Sequence, residues 1–185
     1  MTSIKDILEE ISKIASQRGS VVIDAQDTVL GRMCTVIAKL LLKGYRVYVI
    51  NAEKAVVSGE RRRVIEGYKL FLEVRTHRNP YKRGIRRPRS PVNIVKRTVR
   101  GMLPKENTKG FEALRRLRVY IGVPEELSNM PRIRILDADA SRLSGKYVYL
   151  SDIARELGWR DELSAAGEAG DSYREEENSY CEGYY

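Results

Sequence analysis

Two short β-branched runs, Val21-Val22-Ile23 and Val47-Tyr48-Val49-Ile50, flank a single amphipathic stretch, and this spacing is what most restricts the fold. The stretch between them places Leu30, Met33, Ile37, Leu40 and Leu41 on one helical face, with Arg32, Lys39 and Lys43 on a stripe away from it. Asp27 or Thr28 is available to cap its start, and Gly44 stands where a C-terminal cap belongs. A hairpin cannot span that separation. Strand, helix, strand at this spacing predicts a βαβ unit, with parallel strands and a right-handed crossover.

The flanks carry further elements. Ile4, Ile7, Leu8, Ile11 and Ile14 recur at helical spacing, which predicts an N-terminal helix ended by Gly19 and Ser20. After the βαβ unit, Ala55-Val56-Val57 reads as a very short strand. Ser58 is then the expected cap of a helix from Glu60 to Leu72. Ser90-Pro91 starts another helix, in which Val92, Val95, Val99 and Met102 form the buried stripe while Asn93, Lys96, Arg97 and Arg100 point elsewhere. A short helix over Phe111 to Leu117 leads to Val119-Tyr120-Ile121-Gly122, read as the last strand of the sheet. Tyr147 to Leu150 reads as a further strand. Ser151 and Asp152 are expected to cap a helix through Leu157, a packing appendage with no recognition helix after it.

Charge is distributed unevenly. The chain carries +9 overall, with a pI near 9.6. Between Arg61 and Arg118 there are 19 basic residues against Glu66, Glu73, Glu106 and Glu112, whereas residues 161–185 hold eight acids against Arg174 alone. Such a field calls for a polyanionic partner, because like charges gathered in one body repel each other. An anionic membrane is the weaker choice, since the N-terminal helix is balanced in charge. The longest apolar run, Val36 to Leu42, is interrupted by Lys39 and falls far short of the ~20 residues of a membrane span. No signal peptide is expected among Lys5, Asp6, Glu9 and Glu10. Cys34 and Cys181 make neither a disulfide framework nor a zinc site, and a reducing cytoplasm is the expected compartment.

The densest chemistry lies in residues 76–91, a long basic loop with three prolines and one glycine. Arginine forms bidentate hydrogen bonds to phosphate and stacks on bases. Proline keeps such a loop extended, and His77 and Tyr81 offer stacking faces for unpaired RNA bases. Arg61-Arg62-Arg63 opens a helix against its macrodipole, a conflict that either an external phosphate or solvent could relieve. His77 is the only histidine and has no nucleophile placed by a motif. Ser58-Gly59-Glu60 lacks the glycine patterns of phosphate-binding loops and reads as an ordinary helix start. The candidate RNA-contacting residues are Arg61, Arg62, Arg75, His77, Arg78, Asn79, Tyr81, Lys82, Arg83, Arg86, Arg87, Arg89, Lys96, Arg97, Arg100, Lys105 and Lys109. No catalytic, cofactor-binding or metal-binding residues are expected.

Several pieces in order resemble one family. Val22-Ile23-Asp24-Ala25 leads to Leu30-Gly31-Arg32, then to Val49-Ile50-Asn51-Ala52-Glu53-Lys54-Ala55-Val56-Val57-Ser58-Gly59. His77-Arg78-Asn79-Pro80, Arg97-Thr98-Val99-Arg100-Gly101-Met102-Leu103-Pro104 and Val119-Tyr120-Ile121-Gly122-Val123-Pro124 follow. Over Val21 to Pro124 the chain resembles the L13 family of large-subunit ribosomal proteins, in its archaeal and eukaryotic form. The resemblance implies a three-layer α/β/α fold with a mainly parallel four-stranded sheet. It also implies binding to large-subunit ribosomal RNA as an early assembly component, beside neighbouring ribosomal proteins and without catalysis. The family's RNA-facing loop corresponds to His77 through Arg89 and its basic helix to Arg97 through Pro104.

The expected organisation is an N-terminal helical extension over 1–20, a core over 21–124, a C-terminal appendage over 125–160 and an acidic, disordered tail over 161–185. The first helix, the segment after Pro124 and the tail depart from the family pattern. The rival reading is a nucleotide-dependent RNA-modifying α/β enzyme. It requires a glycine-rich cofactor loop or an acid/base constellation, and the sequence offers neither.

Overall fold

A computed structural model describes residues 19–74, 79 and 87–160. The expected N-terminal helix and acidic tail, and most of the basic loop, lie outside these residues. The first elements are β1 (Ser20–Asp24), α1 (Leu30–Leu42) and β2 (Arg46–Ile50). The two strands pair in parallel, Val21 opposite Val47 and Ile23 opposite Val49. The βαβ reading therefore holds. Gly44 adopts φ +99 and its N–H donates to the Leu41 carbonyl at 3.1 Å, closing α1 where the sequence placed the cap. The start of α1 differs from expectation. Its cap position is Val29, and no side chain bonds there. Thr28 is instead fully buried, its hydroxyl donating to the Ala25 carbonyl at 2.8 Å.

A short 3₁₀ turn (Ala52–Lys54) leads to β3 (Val56–Ser58) and α2 (Arg61–Glu73). Ser58 does not cap α2; the cap position is Glu60, without a side-chain bond. Then come α3 (Pro91–Met102), α4 (Thr108–Arg115) and β4 (Leu117–Val119). α4 starts three residues before the expected Phe111 and β4 two residues before the expected Val119, and buried Leu117 belongs to the strand rather than the helix. The remaining elements are α5 (Glu125–Ser128), β5 (Arg132–Arg134), β6 (Tyr147–Tyr149) and α6 (Leu150–Glu156), with 3₁₀ turns at Leu136–Ala138 and Ala140–Arg142. The cap position of α6 is Tyr149, so Ser151 and Asp152 lie inside the helix rather than before it.

The four-stranded sheet has the order β4-β2-β1-β5, all parallel. The residues expected to form its last strand are thus followed by another, β5. Its Arg132-Ile133-Arg134 pattern shows no apolar run because it lies at the sheet edge, where charged residues discourage further pairing. β3 joins β6 in a separate antiparallel pair, Val57 opposite Val148.

Alternation along the strands separates two clusters. Val21, Ile23, Val47, Val49, Leu117 and Val119 join the buried faces of α1, α3, α4 and α6 in the main core. Val22 and Ile50 face the other way and meet Leu127 of α5, with Tyr48, Tyr120 and Met130 around them. The sheet is flanked by helices on both faces, giving a three-layer α/β/α arrangement. At its C-terminal edge Asn51 is almost fully buried at φ +54, and its Nδ2 donates to Asp24 Oδ1 at 2.9 Å. Asn tolerates this left-handed geometry better than most residues. Asn51→Ala loses the bond and leaves the strained backbone in place, so thermal melting should report about 2 kcal/mol of destabilisation.

Candidate nucleic-acid interface

The site is built on α3. Ser90 Oγ accepts from the Asn93 N–H at 3.4 Å, and Pro91 occupies the first turn, where its missing donor costs nothing. Pro91, Ile94, Val95 and Val99 point into the core. Helical spacing then leaves Asn93, Lys96, Arg97 and Arg100 on the opposite stripe.

That stripe forms one wall of an open groove of about 430 Å³, lined by Arg87, Pro88, Asn93, Lys96, Arg97, Arg100, Leu114, Leu117 and Arg118. Among the described residues, five cations border it and no carboxylate does. None of the ion pairs among the described residues engages Arg87, Lys96, Arg100 or Arg118. α4 supplies the far wall through Leu114, and it reaches that place only because residue 110 is glycine. A Cβ there would lie 1.9 Å from the Pro104 carbonyl oxygen.

Arg87 stands between this groove and a smaller cavity of about 210 Å³ lined by Tyr68, Phe71, Leu72, Ile94 and Thr98. Its guanidinium carbon lies 5.8 Å from the Phe71 ring centre, within cation–π range. Its Nε is buried without a hydrogen-bond partner among the described residues. Aromatic contact thus positions the group at the border of the groove.

The predicted residues separate into groups. Arg87, Lys96, Arg97 and Arg100 come together in the groove. Arg89 is exposed, and its Nη1 faces Gly158 beyond α6. Lys105 borders a small cavity with Arg100 and Phe111, while Lys109 is exposed on α4 outside the groove. Asn79 is exposed at φ +49. Arg75, His77, Arg78, Tyr81, Lys82, Arg83 and Arg86 lie outside the described residues.

Arg61, Arg62 and Arg63 each meet a carboxylate of the chain itself: Glu156 at 3.2 Å, Glu66 at 2.9 Å and Glu60 at 3.7 Å. The conflict at the start of α2 is thus relieved internally. Lys69 also bonds Glu156 and, with Arg61, holds that carboxyl below the usual carboxylate range. Arg118 was missed as a site residue. The alternation Leu117-Arg118-Val119, with Leu117 and Val119 buried, would have placed it on the opposite side from the core.

Residues 18–126 match the family model described as Ribosomal protein L13. The large ribosomal subunit protein uL13 of Sulfolobus acidocaldarius is 57% identical over 145 residues, 78% of this chain and 97% of that relative. The uL13 of Saccharolobus solfataricus is 52% identical over 143 residues, 77% of this chain and 95% of the relative. That of Archaeoglobus fulgidus is 47% identical over 141 residues, 75% and 88% respectively. Residues 18–126 contain the groove and three of the four strands of the sheet, β1, β2 and β4, and the chain belongs to the ribosomal protein L13 family, a structural and non-enzymatic one.

Proposed function

We propose that the chain is a structural constituent of the large ribosomal subunit that binds large-subunit ribosomal RNA through the α3 groove and supports assembly of the particle in the cytoplasm. The observation that carries this reading is the groove itself, bordered among the described residues by five cations and no carboxylate, three of the cations on a helix whose other face belongs to the core. Guanidinium groups gathered in that way can grip phosphate bidentately. Arg87, Lys96, Arg97, Arg100 and Arg118 are assigned to phosphate. The loop residues from Arg75 to Arg86, with His77 and Tyr81 as stacking faces, extend the contact, while Asn79, Arg89, Lys105 and Lys109 lie at its margins. Arg61 and Arg62 are secondary, since their ion pairs are exposed to solvent and yield readily to phosphate. Residues 1–18 and 161–185 are extensions of a body formed by the rest, to which Ser20 in β1 and the expected appendage over 125–160 belong because β5 pairs with β1 and Leu150 and Ile153 enter the main core, and the family's character removes the modifying-enzyme reading.

The test compares a large-subunit ribosomal RNA transcript with an unrelated structured RNA of equal length, titrated across salt concentration. The cognate transcript should bind more tightly. If all five groove cations meet phosphate, the plot of log affinity against log salt should have a slope of about −4. Equal affinity for both RNAs would overturn the reading.

A further inference from the structure

Residues 161–185 carry eight acids against one arginine, with Tyr173, Tyr180, Tyr184 and Tyr185 among them. The described chain reaches Arg160 just after α6, where the Trp159 N–H donates to the Ala154 carbonyl at 2.9 Å and holds the exit against that helix. One residue earlier, a Cβ at Gly158 would lie 3.8 Å from Arg89 Nη1. Arg89 is two residues from Arg87, which lines the groove. The acidic segment therefore leaves the described body near Arg89, two residues along the chain from the groove-lining Arg87. Extended, it reaches roughly 85 Å, well beyond the ~30 Å breadth of a small domain.

We propose that in the RNA-free chain this acidic segment occupies the α3 groove as an intramolecular stand-in for RNA. Its carboxylates supply the negative charge that the groove's own lining lacks, and its tyrosine rings can stack on guanidinium planes as bases do. Among the described residues, the clusters of cations that already face carboxylates are less suited to it. Arg61, Arg62, Arg63 and Lys69 already face carboxylates, as do Arg134 and Arg142. Tethering gives the segment a millimolar effective concentration, enough for weak contacts to compete with loosely held RNA. Because the attraction is between solvent-exposed charges, salt weakens it. Only the final arm of the test relies on the groove being an RNA site.

The experiment uses the full chain with a nitroxide on Cys181. Cys34 is fully buried, and burial pushes its thiol up to about 12, so labelling at neutral pH is directed to Cys181. At ~0.05 M salt, where screening extends over ~14 Å, amide signals of Lys96, Arg97, Arg100 and Arg118 should broaden while those of β5 stay sharp. They should recover at ~0.5 M salt, and in a chain carrying Glu175→Gln, Glu176→Gln and Glu177→Gln. Sharp groove signals at low salt would overturn the proposal, as would broadening that survives high salt. The Gln-substituted chain should also bind a short unstructured RNA roughly tenfold more tightly at low salt and equally at high salt. If RNA binds while the groove signals stay broadened, the tail contact stands and the assignment of the groove to RNA falls.

Discussion

Replacing Arg97, Arg100 and Arg118 together by Gln should weaken binding to large-subunit RNA by about a hundredfold to a thousandfold near 0.1 M salt. Each lost contact is a charge-assisted hydrogen bond, worth roughly 1–1.5 kcal/mol in net terms once water is counted, and every 1.4 kcal/mol is tenfold in affinity. The slope of log affinity against log salt should flatten by about 2 to 3, since each phosphate contact contributes ~0.7–0.9. All three side chains are exposed, so thermal stability should move by no more than about 1 kcal/mol. Filter binding over a salt series, paired with calorimetric melting, separates the two effects. An unchanged slope would show that RNA is held elsewhere. A large fall in melting temperature would show that these residues support the fold.

Gly110→Ala should be the most damaging single-atom addition among the described glycines. The new Cβ would meet the Pro104 carbonyl oxygen at 1.9 Å and its carbon at 3.0 Å, and both are backbone atoms that cannot rotate aside. α4 must then shift away from the segment that follows α3, drawing buried Ala113 and Leu117 out of the main core. Overpacking of this kind costs about 3 kcal/mol. In a body of this size that lowers the melting temperature by roughly 6–12 °C. Gly101 makes a useful comparison. It is exposed in α3, a Cβ there would meet nothing within 4 Å, and Gly101→Ala should be neutral or slightly stabilising. Equal melting of the two variants would contradict the close approach at Gly110.

The fold was legible wherever burial imposed a period. β1, α1 and β2 declared themselves because their apolar residues must face a core. α3 did so because Ser90-Pro91 announces a start and Val95 and Val99 fix a face, although Ile94 completes that face in place of the expected Val92, which is half-buried, and Met102, which is exposed beyond the last core turn. The helix caps were less legible. Ser58, Thr28 and Ser151 have the chemistry of cap residues, but the backbone begins each helix elsewhere, and buried Thr28 is committed to the Ala25 carbonyl instead. β5 escaped because an edge strand of three residues gains more from Arg132 and Arg134 in solvent than from an apolar pattern. The site was half legible. The stripe on α3 follows from helical spacing alone. That Arg118 completes the groove depends on β4 lying beside β2 at the sheet edge, a long-range pairing that no local pattern encodes.

The strand order carries a consequence for synthesis. β1 lies between β2 and β5, yet β5 arrives more than a hundred residues later in the chain. A nascent chain leaving the tunnel can assemble β1, β2 and β4 early. Until Arg132–Arg134 emerges, one whole side of β1 keeps its N–H and C=O groups open to any passing strand. The growing polypeptide is therefore most prone to sticky encounters just before its final quarter appears. A ribosome stalled before residue 132 should hold a product that misassociates more readily than one released at residue 160.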